Sequence, residues 1–415
     1  MHILLINHYA GSPSLGMEYR PYYLAREWTR AGHEVTIVAA SFSHLRQHSP
    51  EIHGDFTEES LDGIRYLWLA TPPYRGNGLG RIRNMMTFLS KLYRYARRIR
   101  KLAKPDVVIA SSTYPLDIYP AQLLARKAKL VYEVHDLWPL SPIELGGMSP
   151  LHPFIVTMQM AENYAYRVAD RVVSLLPKAD SHMRAHGMAP EKFLYVPNGI
   201  DLAEWKQDAD EIPEAHARIL QELHERGQFI VGYAGSLGLA NAMHHFIDAA
   251  ARLRDEPIAF VIVGQGPEKE GLVARAQQAG LQNVMFLPPV PKRSIPRLLT
   301  RMDGLYAGSN HVSIYRFGIS FNKIIDYMMA GKPIIQAIEA GNDPVGEARC
   351  GFSVVPEPSA IADAIFQLSK LSAEERELLG ANGHAFVKAE HNYAVLARRF
   401  LSGLNPVDTG PSEAG

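Results

Sequence analysis

Apolar residues come in short unbroken runs along this chain, and between the runs they recur at helical spacing. The run 2–7 (HILLIN) meets a turn-rich loop, YAGSPSLG. A helical pattern over 18–33 (EYRPYYLAREWTRAGH) then breaks at Gly32, and 35–40 resumes as strand. Strand, glycine-bearing loop, helix and strand make a βαβ opening. DVVIASS (106–112), KLVYEVHD (129–136) and RVVSLL (171–176) repeat the strand signal with helices between them. Near-continuous apolar strands of this kind are parallel strands buried on both faces.

The alternation then starts afresh with 229–237 (FIVGYAGSL), 259–266 (AFVIVGQG), 283–290 (NVMFLPPV) and 304–310 (GLYAGSN). In 315–335 a loop leads into an apolar helix that stops at Gly331, followed by a short strand over 333–335. Between the two series, VPNGID (196–201) is followed by the polar, proline-bearing stretch WKQDADEIPEAHARI, which reads as an interdomain connection. The predicted division is an N-terminal Rossmann-like domain over 1–203 and a C-terminal one over 204–387. A helix at about 388–404 is expected to pack back on the first domain, and 405–415 (NPVDTGPSEAG) has the composition of a disordered tail. The expected fold is therefore α/β, two tandem doubly wound domains facing across a cleft, with ligands at the carboxyl ends of the strands.

Composition narrows the function. At 415 residues, 47% hydrophobic and 21% charged, the chain can bury two cores. Lys plus Arg and Asp plus Glu balance at 43 each, which argues against nucleic acid as partner. The lone Cys350 excludes an internal disulfide, the N-terminus lacks a signal-peptide pattern, and no apolar run approaches ~20 residues. A cytoplasmic location is expected. One local charge stands out: RIRNMMTFLSKLYRYARRIRKLAK (81–104) holds nine Lys or Arg and no acid, with apolar residues at helical spacing. Such a helix suits an anionic membrane surface, with Arg94, Arg97, Arg98, Arg100 and Lys101 as contacts, although its apolar face also suits packing on a sheet.

Several stretches taken in order are similar to GT-B glycosyltransferases of family 4. They are the first loop with GHEVT (32–36), HDLWP (135–139), VPNGID (196–201), VIVGQGPEKEGL (261–272) and NKIIDYMMAGKPII (322–335). The chain most resembles the bacterial branch that builds O-antigen, capsule and exopolysaccharide. The resemblance implies transfer from a nucleotide diphosphate sugar to a lipid-linked or growing glycan acceptor, with retention of anomeric configuration. It weights the base toward uracil, with an N-acetylated hexose among the candidate sugars. It implies a peripheral enzyme on the inner face of the cytoplasmic membrane.

Site residues follow from the resemblance and from their chemistry. Asp326 matches the acid that accepts hydrogen bonds from the nucleotide ribose, a task for an acceptor-only group that can take two vicinal hydroxyls. The family's first acid would stand eight residues earlier, where this chain has Gly318, so backbone amides of the loop from Phe317 to Lys323 are expected to serve the sugar and phosphates, those of Phe321, Asn322 and Lys323 the diphosphate. Gly235, Ser236 and Leu237 offer amides to the diphosphate, but the family's Arg and Lys are replaced by Ser236 and, at about the second place, Asn241. Lys323, Arg316 and Arg20 are the candidate replacements for that charge. Gly264 belongs to a strand-to-helix turn whose spacing is not GxGxxG, which disfavours a nicotinamide cofactor, and Val290 lies in the loop that cups the base. His135 matches a histidine that touches the donor sugar. Gly16 lies in the phosphate-side loop, with Glu18, Arg20 and Asp136 as acceptor-side candidates. Asp208-Ala209-Asp210 is a formal DxD in a polar linker with no strand to aim it, and no HExxH occurs, so no metal and no other cofactor is expected. Two rival functions remain: a non-catalytic partner subunit, suggested by the missing acid and cations, and a sugar-nucleotide epimerase or hydrolase.

Overall fold

The computed structural model describes residues 1–76, 78–207 and 210–405. The chain divides into two compact units, 1–198 with 393–415, and 199–392. The division falls a few residues before the expected 203/204 because Ile200 is already committed to the second unit: its N–H donates to the His391 carbonyl, and its side chain joins that unit's core.

In the first unit the described strands are β1 (His2–Ile6), β2 (Glu34–Ala40), β3 (Thr57–Leu61), β4 (Ile64–Leu69), β5 (Val107–Ala110), β6 (Lys129–Val134), β7 (Arg171–Ser174) and β8 (Phe193–Tyr195). They form one sheet in the order β3-β4-β2-β1-β5-β6-β7-β8, parallel except for the β3–β4 hairpin. That hairpin is absent from the sequence reading: TEESL is a polar edge strand with no apolar run, although its partner IRYLWL is an apolar one. Asp62-Gly63, both at positive φ, adds the turn chemistry that a two-residue hairpin needs. The order reverses between β1 and β5, so the loops after these strands flank a crevice.

The basic segment 81–104 is two helices rather than one, Leu79–Arg94 and Ala96–Ala103, broken at Tyr95. The last helix, Tyr393–Ser402, packs on helix Arg20–Arg30, where Trp28 donates to the Ala397 carbonyl at 3.0 Å and meets Phe400 edge-on. Asn405 is tied down by Lys129 and Arg171, so the chain is anchored at the first residue of the expected tail. Residues 406–415 lie outside the described residues, as do Asp208 and Ala209 of the DxD.

The second unit carries β9 (Phe229–Ser236), β10 (Ile258–Gln265), β11 (Val284–Leu287), β12 (Gly304–Gly308), β13 (Ile334–Ala337) and β14 (Gly351–Ser353) in the order β11-β10-β9-β12-β13-β14, with every described pairing parallel. Here the order reverses between β9 and β12. The loop after β12 leads through 313–321 into helix Asn322–Met329, whose Ile324, Ile325, Tyr327, Met328 and Met329 are buried. That burial fixes which way its polar positions point.

Candidate active site

In the second unit, Lys323 and Asp326 are three residues apart on helix Asn322–Met329 and so share one side of it. The Lys323 ammonium donates to the Tyr233 hydroxyl and to Asn241 Oδ1, both at 2.8 Å, and lies 4.1 Å above the Tyr233 ring. Desolvation lowers its pKa to about 7. The Asp326 carboxyl is pushed up to about 7 by desolvation, with the charge of Lys292 pulling the other way. Lys292 belongs to the turn after Val290, so the helix acid and the expected base-side loop are electrostatic neighbours.

An open pocket of about 480 Å³ is lined by Gly235, Ser236, Gly264, Gly266, Val290 and Ile295, and Gly235 sets it next to Lys323. Its floor depends on glycine. A Cβ on Gly264 would collide with the Gly235 carbonyl, and one on Gly235 would press on Lys323 Cε and the Tyr233 hydroxyl. Among the described residues the first turn of helix Asn322–Met329 has no side-chain cap.

Other expected donors are spent. The Leu237 N–H donates to the Gln265 carbonyl, because β9 and β10 continue to pair past Ser236 and the next α-helix begins only at Met243. Gly318 N–H donates to Tyr315 O, and Ile319 N–H to Asn342 Oδ1, so this part of the loop serves its own turn.

In the first unit, His135 directly follows β6, with Nε2 2.9 Å from Ser111 Oγ and 3.4 Å from Glu133 Oε2, and Nδ1 3.6 Å from Glu18 Oε1. Burial works against its charge, but Glu133 and Glu18 outweigh burial and hold its pKa up at about 9. Glu133 is buried too. Desolvation would raise it, yet Arg20 and His135 bring it down to about 2. Asp136 follows His135 at the surface.

Two expectations change here. Arg20 is 2% exposed, and its guanidinium is taken up by Glu133 Oε1 and the carbonyls of Val196 and Pro197. It is a buried brace under His135 rather than a phosphate or acceptor contact, which explains a cation at a helix start. Gly16 is buried and its N–H donates to the Ser12 carbonyl, so it offers no amide to a phosphate. Its φ of 95° and the closeness of the Gln47 backbone are what require glycine.

Sequence reading missed His8 and Asp117. His8 is fully buried between Tyr114 (2.6 Å) and Asn84 (2.5 Å), and desolvation lowers its pKa to about 3, so it stays neutral. Asp117 accepts from the Ser112 N–H, its Oδ1 has no partner among the described residues, and desolvation raises it to about 7. Neither position carries a motif.

Two family models divide the chain as its sheets do. Residues 16–199 match the glycosyl transferase 4-like domain, and 217–386 match glycosyl transferases group 1. The chain is a GT-B glycosyltransferase of the family 4 type. This glycosyltransferase is 25% identical over 348 residues to a protein of Escherichia coli K12 named as a colanic acid biosynthesis glycosyl transferase, WcaI, covering 81% of this chain and 83% of that one. Its fold is similar to Anabaena HepE in complex with UDP and glucose, with TM-score 0.66, 19% identity, and coverage of 98% and 100%. It is also similar to WaaG, a glycosyltransferase involved in lipopolysaccharide biosynthesis, with TM-score 0.63, 15% identity, and coverage of 98% and 100%.

The glycosyltransferase's basic segment turns two apolar faces in different directions. Met85, Phe88, Leu89, Leu92, Ala96 and Ile99 are buried. Leu79, Ile82, Met86 and Tyr93, at helical spacing, stay 83%, 41%, 53% and 48% exposed. Of the cations, Arg98 stacks on Phe56 at 4.0 Å and Arg94 lies over Tyr95, while Arg97 and Lys101 are exposed and Arg100 is half-buried. Among the described residues no helix is long and apolar enough to cross a membrane.

Proposed function

We propose that this glycosyltransferase moves a sugar from a nucleotide diphosphate sugar, UDP-linked and with an N-acetylated hexose among the candidates, to a lipid-linked or growing glycan acceptor in bacterial surface polysaccharide assembly. Retention of anomeric configuration and peripheral attachment to the inner face of the cytoplasmic membrane belong to the same reading. The observation that carries it is the pair Lys323 and Asp326 beside a glycine-floored pocket. A carboxylate there suits the two ribose hydroxyls, and an ammonium one turn earlier suits a diphosphate. The names of WcaI, of HepE with its UDP and glucose, and of WaaG support the donor class and the pathway.

In this reading Lys323 offsets the charge that develops on the departing diphosphate, where fixed cations count most. The His135 imidazolium donates a hydrogen bond to a donor sugar hydroxyl, held in place by Glu133 and its Arg20 brace. The leaving diphosphate takes the acceptor's proton on the same face, and the sugar's bond to phosphate is replaced by a bond to the acceptor oxygen. The exposed stripe Leu79, Ile82, Met86 and Tyr93, beside exposed cations, supports membrane contact. A non-catalytic subunit is disfavoured because Lys323 brings a cation to Asn241, where charge was missing.

The test is a thermal-shift screen of UDP- and GDP-sugars, followed by turnover of any binder. A binder that raises Tm and releases nucleoside diphosphate, with an axial or equatorial product linkage matching the donor by NMR, is the expected result. A protein that no sugar nucleotide stabilises, and that releases nothing from any, overturns the reading.

A further inference from the structure

Helix Pro153–Val168 and the short helix Asp180–Ala185 in the first unit bring together Glu162, His182 and His186. One nitrogen of each imidazole and one Glu162 oxygen all lie within 4.8 Å of one another. His182 Nε2 and Glu162 Oε1 are 3.2 Å apart. Ligands about 2.0–2.1 Å from a tetrahedral zinc ion lie roughly 3.3–3.5 Å from each other, so this pair is already at ligand spacing and the third needs a shift of no more than about 1.5 Å.

The surroundings are arranged as they are around a metal. His186 Nδ1 is 2.8 Å from the His182 carbonyl, an acceptor that holds the proton on Nδ1 and leaves Nε2 its lone pair. Glu162 Oε1 also accepts from the Tyr166 hydroxyl at 2.8 Å, and Oε2 from Gln159 at 2.7 Å, which orients the carboxylate. Glu162 is 1% exposed, and among the described residues no Lys or Arg reaches it. A buried carboxylate needs a cation, and the candidates here are a proton on His182 or a metal. A proton satisfies Glu162 and His182 alone, whereas a metal also recruits His186, whose ring packs on that of His182 with centroids 4.2 Å apart.

We propose that Glu162, His182 and His186 form a binding site for one borderline divalent cation of the zinc class, which staples helix Asp180–Ala185 to helix Pro153–Val168. Two imidazoles and a carboxylate suit such an ion, and a water completes four-fold coordination. The site is separate from the donor residues, so its role is structural. It eluded the sequence reading because the carboxylate stands twenty residues before the first histidine.

The experiment uses untagged full-length protein stripped with EDTA and titrated with Zn2+ by calorimetry, and with Co2+ by visible absorption. Expected are one Zn2+ per chain, a rise in Tm with Zn2+, and a Co2+ spectrum of tetrahedral intensity. His186→Gln, at a half-buried position, should keep the wild-type Tm without metal and abolish all three signals. Tyr166→Phe should weaken Zn2+ roughly 10-fold through the outer shell. No stoichiometric binding by wild type, or binding that His186→Gln leaves unchanged, overturns the proposal and assigns the cluster to a proton-bridged pair.

Discussion

Lys323 donates to Asn241 Oδ1 at 2.8 Å, so the ammonium of one helix stands where the preceding glycine-rich loop has only a neutral amide. Charge at this point is supplied from the far side of the switch between β9 and β12. The same lysine touches Tyr233, which carries its hydroxyl to the Ser236 carbonyl and so ties the loop to the helix.

Lys323→Met should therefore weaken binding of a nucleoside diphosphate by about 2 kcal/mol, the scale of a hydrogen bond to a charged group, or roughly 30-fold. Binding of the nucleoside alone should hardly change. Calorimetry with both ligands checks this, and equal losses for the two would assign Lys323 a purely structural role.

Asp326→Asn should weaken nucleoside and nucleotide alike, because the ribose is common to both. In wild type the free-state pKa values of Asp326 and Lys323 both lie at about 7, with opposite requirements. The acid must lose its proton to accept from the ribose, so affinity rises as pH climbs toward 7. The amine must keep its proton to meet the diphosphate, so affinity falls as pH climbs past 7. Affinity for a sugar nucleotide, whose diphosphate diester does not titrate here, should be bell-shaped about neutrality. Asp326→Asn should remove the rising limb and Lys323→Met the falling one.

His135 has its pKa raised from 6.5 to about 9 in the folded chain. Its contribution to stability is thus complete below about 6.5 and disappears as pH rises through 9. Glu133, lowered from 4.5 to about 2, contributes above 4.5 and loses its contribution as pH falls toward 2. Thermal melts should show wild type losing more Tm between pH 6 and 10 than His135→Gln does. Parallel curves would mean that the imidazole is neutral throughout.

Changing Ile82, Met86 and Tyr93 together to Ser should leave the fold intact, since all three are exposed, and should abolish cosedimentation with vesicles containing anionic lipid. Replacing Arg97 and Lys101 by Gln should weaken cosedimentation by about 1 kcal/mol per cation at low salt. Undiminished sedimentation of both variants would remove this face from membrane contact.

Trp28→Ala should cost about 3–5 kcal/mol, because it empties the contact with Phe400 and leaves the Ala397 carbonyl without its indole donor. Urea melts measure the loss. A loss below about 1 kcal/mol would show that helix Tyr393–Ser402 is held by other contacts.

The strand-helix alternation, the glycine-bearing loops and the acid in an apolar helix were all legible along the chain, because periodicity and turn chemistry are local. Ten apolar runs read as strands, nine in the two series and 333–335 after the helix, are strands in the sheets. Of the β3–β4 hairpin only β3 was illegible, because an edge strand solvated on one side carries little apolar signal, whereas the buried run IRYLWL of β4 was missed despite its apolar pattern. Among site residues, local reading proposed Asp326, Lys323 and His135, but it could not tell a spent amide from an available one. Gly16 and Gly318 donate within their own turns, and Leu237 and Ile319 donate to partners that the fold alone brings near.

By itself, then, the sequence determined two doubly wound domains and the helix that carries Lys323 and Asp326, since each of these follows from spacing within about twenty residues. Tertiary structure decided the rest. It buried Arg20 against Glu133 across 113 residues, brought Lys323 to Asn241 across 82, and set Glu162 against His182. A charged side chain on a sequence reads alike whether it faces water, a ligand or a buried partner. Only the packing of distant elements removes the water, and that removal separates a brace from a binding group.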